Sequence, residues 1–115
     1  MSNVEVLKTA NAAVSRGEYE EFLKYCTDDV TWTFVGEQVL RGKSAIEEYM
    51  RKTYLNPPQF DVKRFIKEND SLVAMGNISM EDAEGKVSKY SYCDVWEFRD
   101  GKMAELTAYV VEVFN

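Results

Sequence analysis

One carboxyl stands where it could do chemistry. If Tyr90-Ser91-Tyr92-Cys93-Asp94-Val95-Trp96-Glu97-Phe98 is a strand, residues two apart share a face. Tyr90, Tyr92, Asp94, Trp96 and Phe98 then form one side, and Ser91, Cys93, Val95 and Glu97 the other. The aromatic side is the one to bury, so Asp94 lies inward between Tyr92 and Trp96. A carboxylate enclosed by rings loses its hydration. Its pKa should rise above the ordinary value of about 4, which leaves a neutral acid able to donate a hydrogen bond. The competing reading has Asp94 take a hydrogen bond from Tyr92, Tyr54 or Arg64 and merely organise the core.

The same alternation in Val30-Thr31-Trp32-Thr33-Phe34-Val35 turns Val30, Trp32 and Phe34 inward, with Thr31 and Thr33 outward. Ala74 and Gly76 share one register of a later strand, and two small inward residues would leave room between helices and sheet. Of the helical tyrosines Tyr25, Tyr49 and Tyr54, Tyr54 is expected to reach that room. Trp32, Phe34, Tyr54, Tyr92 and Trp96 are therefore the candidate walls of a small-molecule site, with Asp94 as its polar anchor. The plainer alternative is that these rings fill the core and leave no cavity.

Other acids read as structure. Asp28-Asp29 are expected to cap and break a helix before the first strand. Glu18, Glu20, Glu21, Glu47 and Glu48 lie opposite apolar stripes, as solvated surface. No DxD or Cys/His spacing suggests a metal, and no metal or other cofactor is expected. There is no histidine, which removes imidazole acid–base catalysis, His-based triads and histidine zinc sites together. Cys93 alternates with Asp94 and faces outward, with no basic neighbour to activate it.

Fourteen Lys and Arg against 20 Asp and Glu give a net charge of -6, which argues against nucleic acid or an anionic membrane as partner. Cys26 and Cys93 fall in a predicted helix and a predicted strand and make no disulfide framework. The N-terminus has no apolar signal region, and no apolar run approaches the roughly 18 residues of a membrane span. A cytoplasmic location is expected.

These residues must be positioned by a short list of elements. Ser2 with Glu5 has capping-box spacing, Val4, Leu7, Ala10 and Val14 continue a helical stripe, and Gly17 stops it. A second helix carries Tyr19, Phe22, Leu23 and Cys26 on one face. The strand over Val30–Val35 follows, and residues 36–42 read as loop. Ser44 with Glu47 opens a third helix bearing Ile46, Tyr49 and Met50, which Pro57-Pro58 forbids from continuing. Four strands are then expected at Phe60–Glu68, Ser71–Met80, Lys86–Phe98 and Lys102–Val113, with turns at Asn69-Asp70, Asp82–Gly85 and Asp100-Gly101. The order α-α-β-α-β-β-β-β predicts an α+β domain, with helices on one face of a mostly antiparallel sheet. One domain is expected to occupy residues 1–115.

That order resembles the nuclear transport factor 2-like superfamily, which includes the SnoaL-like cyclases and the ketosteroid isomerases. The likeness is carried by Asp94-Val95-Trp96-Glu97-Phe98-Arg99-Asp100-Gly101-Lys102-Met103, with support from Ser15-Arg16-Gly17-Glu18-Tyr19, Thr27-Asp28-Asp29-Val30 and Arg41-Gly42-Lys43-Ser44-Ala45-Ile46. It implies a cone-shaped sheet curled around a pocket. In that resemblance Asp94 matches the isomerase residue that holds an oxyanion as a protonated acid. The position resembling the isomerase general base is Phe34, and the one resembling its oxyanion tyrosine is Ala10, so steroid isomerisation is not implied. SnoaL-like cyclases use a pocket Asp as acid–base group, a role Asp94 could fill.

Two functional readings follow. In one, the chain binds a small apolar, polyketide-like or steroid-like molecule and acts as carrier, cyclase, isomerase or lyase through Asp94. In the other, the cone is filled by its own side chains and serves assembly. The outer face of Ser91, Cys93 and Val95 is short and partly apolar, and a homodimer through that face is expected.

Overall fold

Ser2 caps the first helix as its spacing to Glu5 predicts. The Ser2 hydroxyl accepts the Glu5 N–H at 3.1 Å, and the Glu5 carboxylate accepts the Ser2 N–H at 3.2 Å. From that start the computed structural model, which describes residues 1–114, runs through three helices and six strands. They are α1 (Asn3–Ser15), α2 (Tyr19–Leu23), β1 (Cys26–Phe34), β2 (Gln38–Arg41), α3 (Lys43–Thr53), β3 (Gln59–Glu68), β4 (Ser71–Glu81), β5 (Val87–Arg99) and β6 (Lys102–Glu112).

The strands form one open, curved sheet in the order β2-β1-β6-β5-β4-β3. Every pairing is antiparallel except β1 with β6. The architecture is the α+β cone expected from the sequence, with one added strand. Asp100 and Gly101 both have positive φ, 52° and 79°, the conformation a two-residue hairpin turn requires, and they join β5 to β6. Helices and sheet enclose a core of Leu7, Ala10, Val14, Phe22, Ile46 and Met50 against Val30, Leu72, Trp96, Met103 and Leu106.

Several local expectations are corrected. Residues 38–41, read as loop, pair with Thr31–Phe34 as β2, so the order is α-α-β-β-α-β-β-β-β. Asp28 and Asp29 do not end a helix. They lie in β1, which begins at Cys26, and Asp29 bonds to Arg99 at the end of β5. Cys26 is thus a strand residue, fully buried, whose thiol is pushed up to about 12 by burial. Ser44 does not cap α3. Its N-cap is Gly42, with no side-chain hydrogen bond to the first turn.

A further correction concerns β3. Its pairing with β4 slips between Val62 and Arg64, so parity reverses there. Phe60 and Val62 before the slip and Phe65 after it pack on the core, while Arg64 is exposed opposite outward Met75. The slip explains Gly76. A Cβ there would sit 2.3 Å from the Asp61 carbonyl oxygen and 2.9 Å from the Val62 Cα. Gly76 makes room for neighbouring backbone rather than for a pocket.

Candidate functional site

Strand alternation places Asp94 on the helix side of β5, opposite Ala74 of β4 and Ala108 of β6. With two alanines as cross-strand neighbours, the carboxyl has no long side chain against it in the sheet. A cavity of about 270 Å³ opens there. Asp94, Trp32, Phe34, Tyr54, Tyr92 and Trp96, the six residues singled out from sequence, all line it. Ala74 and Gly76 share the inward register but do not border the cavity. The β4 wall lies further along, at Ile78 and Met80.

The remaining wall was not legible as a site. Tyr49 and Thr53 come from α3, Phe22 from α2, Asn11 and Val14 from α1, and Phe60 from β3. Tyr25 packs on the core elsewhere and does not reach the cavity. Glu37, on the turn after β1, stands at the rim as the second carboxylate among the lining residues. The spacing Tyr49–Thr53–Tyr54 on one helix end was the available signal for the α3 wall. For Glu37 there was none, because its place depends on the β1–β2 hairpin.

Trp32 is the hub of the ring cluster. Its centroid lies 5.7 Å from Phe22, 6.0 Å from Phe34, 6.3 Å from Tyr49 and 6.3 Å from Trp96, with interplanar angles of 76° to 84°. Edge-to-face contacts set positive ring edges against negative faces, each contributing about 0.5–1.5 kcal/mol beyond area burial.

Burial alone pushes the Asp94 pKa up to about 7, with no charged or hydrogen-bonding neighbour to offset it. By surface area the residue is only half-buried, because its carboxyl abuts the cavity. An apolar cavity solvates a charge poorly, so the carboxyl is held away from bulk water despite that exposure. Tyr92, Tyr54 and Arg64 do not serve Asp94 as the core-organising alternative required. Arg64 is on the outer side of the bulge, and the buried Tyr92 hydroxyl has no partner. Burial and, next, the Asp94 charge push Tyr92 up to about 12. Burial likewise raises Tyr54, whose carbonyl accepts the Tyr19 hydroxyl at 3.1 Å.

Trp32 Nε1 and Trp96 Nε1 are, like the Tyr92 hydroxyl, buried without a partner. An unsatisfied buried donor costs on the order of 1–3 kcal/mol, so these three atoms are a local cost of packing the rings rather than groups open to the cavity. Among the described residues, no group of three or more His, Cys, Asp or Glu is placed to hold a metal. No described helix is long and apolar enough to cross a membrane.

Comparison with known proteins adds lineage to this geometry. A family model for the SnoaL-like domain matches residues 7–106. Curated proteins yield no match. Among solved structures, the epoxide hydrolase/cyclase-like enzyme SalBIII, of pyran ring formation in the polyether salinomycin, superposes with a TM-score of 0.86 at 18% identity, covering 95% of this chain and 90% of that one. An NTF2-like protein of unknown function from Burkholderia pseudomallei K96243 gives 0.84 at 18% identity, covering 94% and 90%. TerC, co-crystallised with polyporic acid, gives 0.79 at 20% identity, covering 98% and 91%. At these identities the likeness is one of fold.

Proposed function

The chain belongs to the SnoaL-like domain family, and from that premise we propose that it binds a small, largely apolar organic molecule in its cone, with protonated Asp94 as acid and hydrogen-bond donor. One observation carries the reading. An inward carboxyl without an internal partner abuts a cavity of about 270 Å³, nine of whose 19 lining residues are aromatic. Trp32, Phe34, Tyr54, Tyr92 and Trp96 supply apolar contact area, and Asp94 supplies orientation.

A carboxyl that ionises near pH 7 suits proton transfer in either direction at neutral pH. Its proton can go to an oxygen that gains negative charge, and the low-dielectric wall strengthens that bond as charge develops. A proton shuttle between two carbons needs a base as well, and Phe34 and Ala10 stand at the positions resembling the isomerase partners. Ring closure within one folded substrate makes a smaller demand: the cavity holds the reacting ends together, Asp94 gives its proton to the oxygen that gains charge, and the resulting carboxylate takes the proton released by the nucleophilic end. Cyclase-type chemistry is therefore the turnover reading the residues support best. The cyclase-like neighbour SalBIII and the ligand-bound neighbour TerC are consistent with a cone that receives organic ligands.

The assembly reading keeps one supporting observation, on the opposite face. Met75, Cys93 and Tyr109 lie side by side across β4, β5 and β6, with Met75 37% and Tyr109 49% exposed and Val111 66% exposed beyond them. We propose that this face pairs two copies, which leaves the cone free for ligand. In this reading residues 1–115 act as one cytoplasmic domain.

Both tryptophans line the cavity, so ligand arrival reports on intrinsic fluorescence. The test is mass spectrometry of whatever co-purifies, followed by fluorescence titration of that compound into the native protein and Asp94→Asn. At least a tenfold loss in the variant, with an unchanged circular dichroism spectrum, is expected. Equal affinity would remove Asp94 from the site.

A further inference from the structure

The cavity has a floor and a mouth of different character. Val14, Phe22, Trp32 and Trp96 are buried lining residues, whereas Glu37, Thr53 and Val110 line it and are exposed. The mouth therefore lies between the β1–β2 turn, the end of α3 and the later part of β6. Glu37 is fixed there through its backbone, whose N–H donates to the Phe34 carbonyl at 3.0 Å. Burial and, next, the Glu37 charge raise the Tyr49 phenol, so the carboxylate stands close to that ring. Glu37 adds nothing to the shift of Asp94, and the two carboxyls are separate groups rather than a coupled pair.

The charges and rings at this mouth agree on the sign of ligand it accepts. Glu37 takes part in none of the ion pairs among the described residues, and no Lys or Arg lines the cavity. An entering anion would meet a like charge at Glu37 and no counter-charge. Phe34 and Tyr49, the rings beside Glu37, have centroids 5.1 Å apart and planes 33° apart. Ring faces carry negative potential and attract a cation within about 6 Å of the centroid. The net charge of -6 adds a field that draws cations toward the chain. A volume of about 270 Å³ holds on the order of a dozen non-hydrogen atoms at organic packing density, enough for one ring and a branched ammonium head.

We infer that the ligand is an organic cation of that size, with its apolar part in the cone and its ammonium group at the mouth, between the Glu37 carboxylate and the Phe34 and Tyr49 rings. This rests on the ligand-site reading above and narrows it. Asp94 keeps its proton on the sheet wall and takes no part in holding the charge. An exposed ion pair alone contributes little, so the buried wall supplies most of the affinity. Carboxylate and rings acting on one charge supply the discrimination. Glu37 is then a specificity-determining residue.

Three compounds of one shape test this by calorimetry at pH 6, where Asp94 still holds its proton. They are benzyltrimethylammonium, its uncharged carbon isostere neopentylbenzene, and phenylmethanesulfonate, in which a tetrahedral anion replaces the cationic head. Benzyltrimethylammonium is expected to bind at least tenfold more tightly than neopentylbenzene, with phenylmethanesulfonate the weakest. Glu37→Gln, on an exposed turn, is expected to weaken benzyltrimethylammonium about fivefold and to leave neopentylbenzene unchanged. Tyr49→Leu is expected to weaken the cation more than the neutral compound. Equal affinities of benzyltrimethylammonium and neopentylbenzene overturn the inference while the cavity stands as a site. So does phenylmethanesulfonate binding as tightly as the cation, or no selective loss of the cation in Glu37→Gln. Binding by none of the three overturns the ligand-site reading and the inference with it.

Discussion

Asp94→Asn should change how stability depends on pH in a way that no surface substitution would. The Asp94 carboxyl ionises near pH 7 in the fold and near its ordinary value of 3.8 in the unfolded chain. Below the lower value both states hold the proton, and Asp94 imposes no penalty. Between the two values the unfolded chain has released a proton that the native protein retains, so stability falls as pH rises. Above about pH 7 both states are ionised and the penalty is constant. Over an interval of about 3 pH, at about 1.4 kcal/mol for each, the accumulated cost is about 4 kcal/mol. That is a large fraction of the roughly 5–15 kcal/mol that holds a domain of this kind together. Asparagine cannot ionise and so escapes the slope. Urea unfolding of native protein and Asp94→Asn, measured every half pH from 4 to 8.5, should give a difference that grows in the variant's favour up to about pH 7 and then levels. Parallel curves would refute the reasoning, because they would mean that Asp94 titrates alike in both states.

Three further outcomes follow from the packing and the outer face. Gly76→Ala should cost about 3 kcal/mol in urea unfolding, since the new methyl meets Asp61 and Val62 backbone rather than a yielding side chain; a cost under about 1 kcal/mol would contradict the bulge. Ser2→Ala removes the reciprocal cap of α1 and should lower stability by about 1 kcal/mol, seen as a reduced Tm, and an unchanged Tm would mean that this helix end frays in solution. Tyr109→Lys places a charge in the middle of the outer face and should raise the dimer dissociation constant at least tenfold in sedimentation equilibrium; native protein that sediments as a monomer ends the pairing proposal.

What the sequence revealed and what it hid divide along the range of the interactions. Period-two alternation in β5 was enough to turn Asp94, Tyr92 and Trp96 to one side, because parity is a local property of the chain. Capping by Ser2 and the Asp100-Gly101 turn were local too. β2 escaped notice because four residues between Gly36 and Gly42 carry too little alternation to separate a strand from a loop, and pairing with β1 is what makes them one. Asp28 and Asp29 carry side chains that favour turns, yet they extend β1, where Asp29 meets Arg99 from β5. The parallel pairing of β1 with β6 joins residues about 75 positions apart, beyond any window of pattern. The β3 bulge reversed the facing of Arg64 through one extra residue, and Gly76, which looked like vacant space, turned out to be its complement. For the candidate site, the rings and the acid were readable, whereas the rim at Glu37 and the places of Tyr49 and Thr53 in the wall came only with the folded cone.

The most direct measurement is the titration of the Asp94 side-chain carboxyl itself, followed by carbon NMR of protein labelled at aspartate and assigned through Asp94→Asn. A cavity-facing acid that keeps its proton at neutral pH predicts an inflection near pH 7. An inflection near pH 4 would contradict it, leaving a hydrated carboxylate with no proton to offer a ligand.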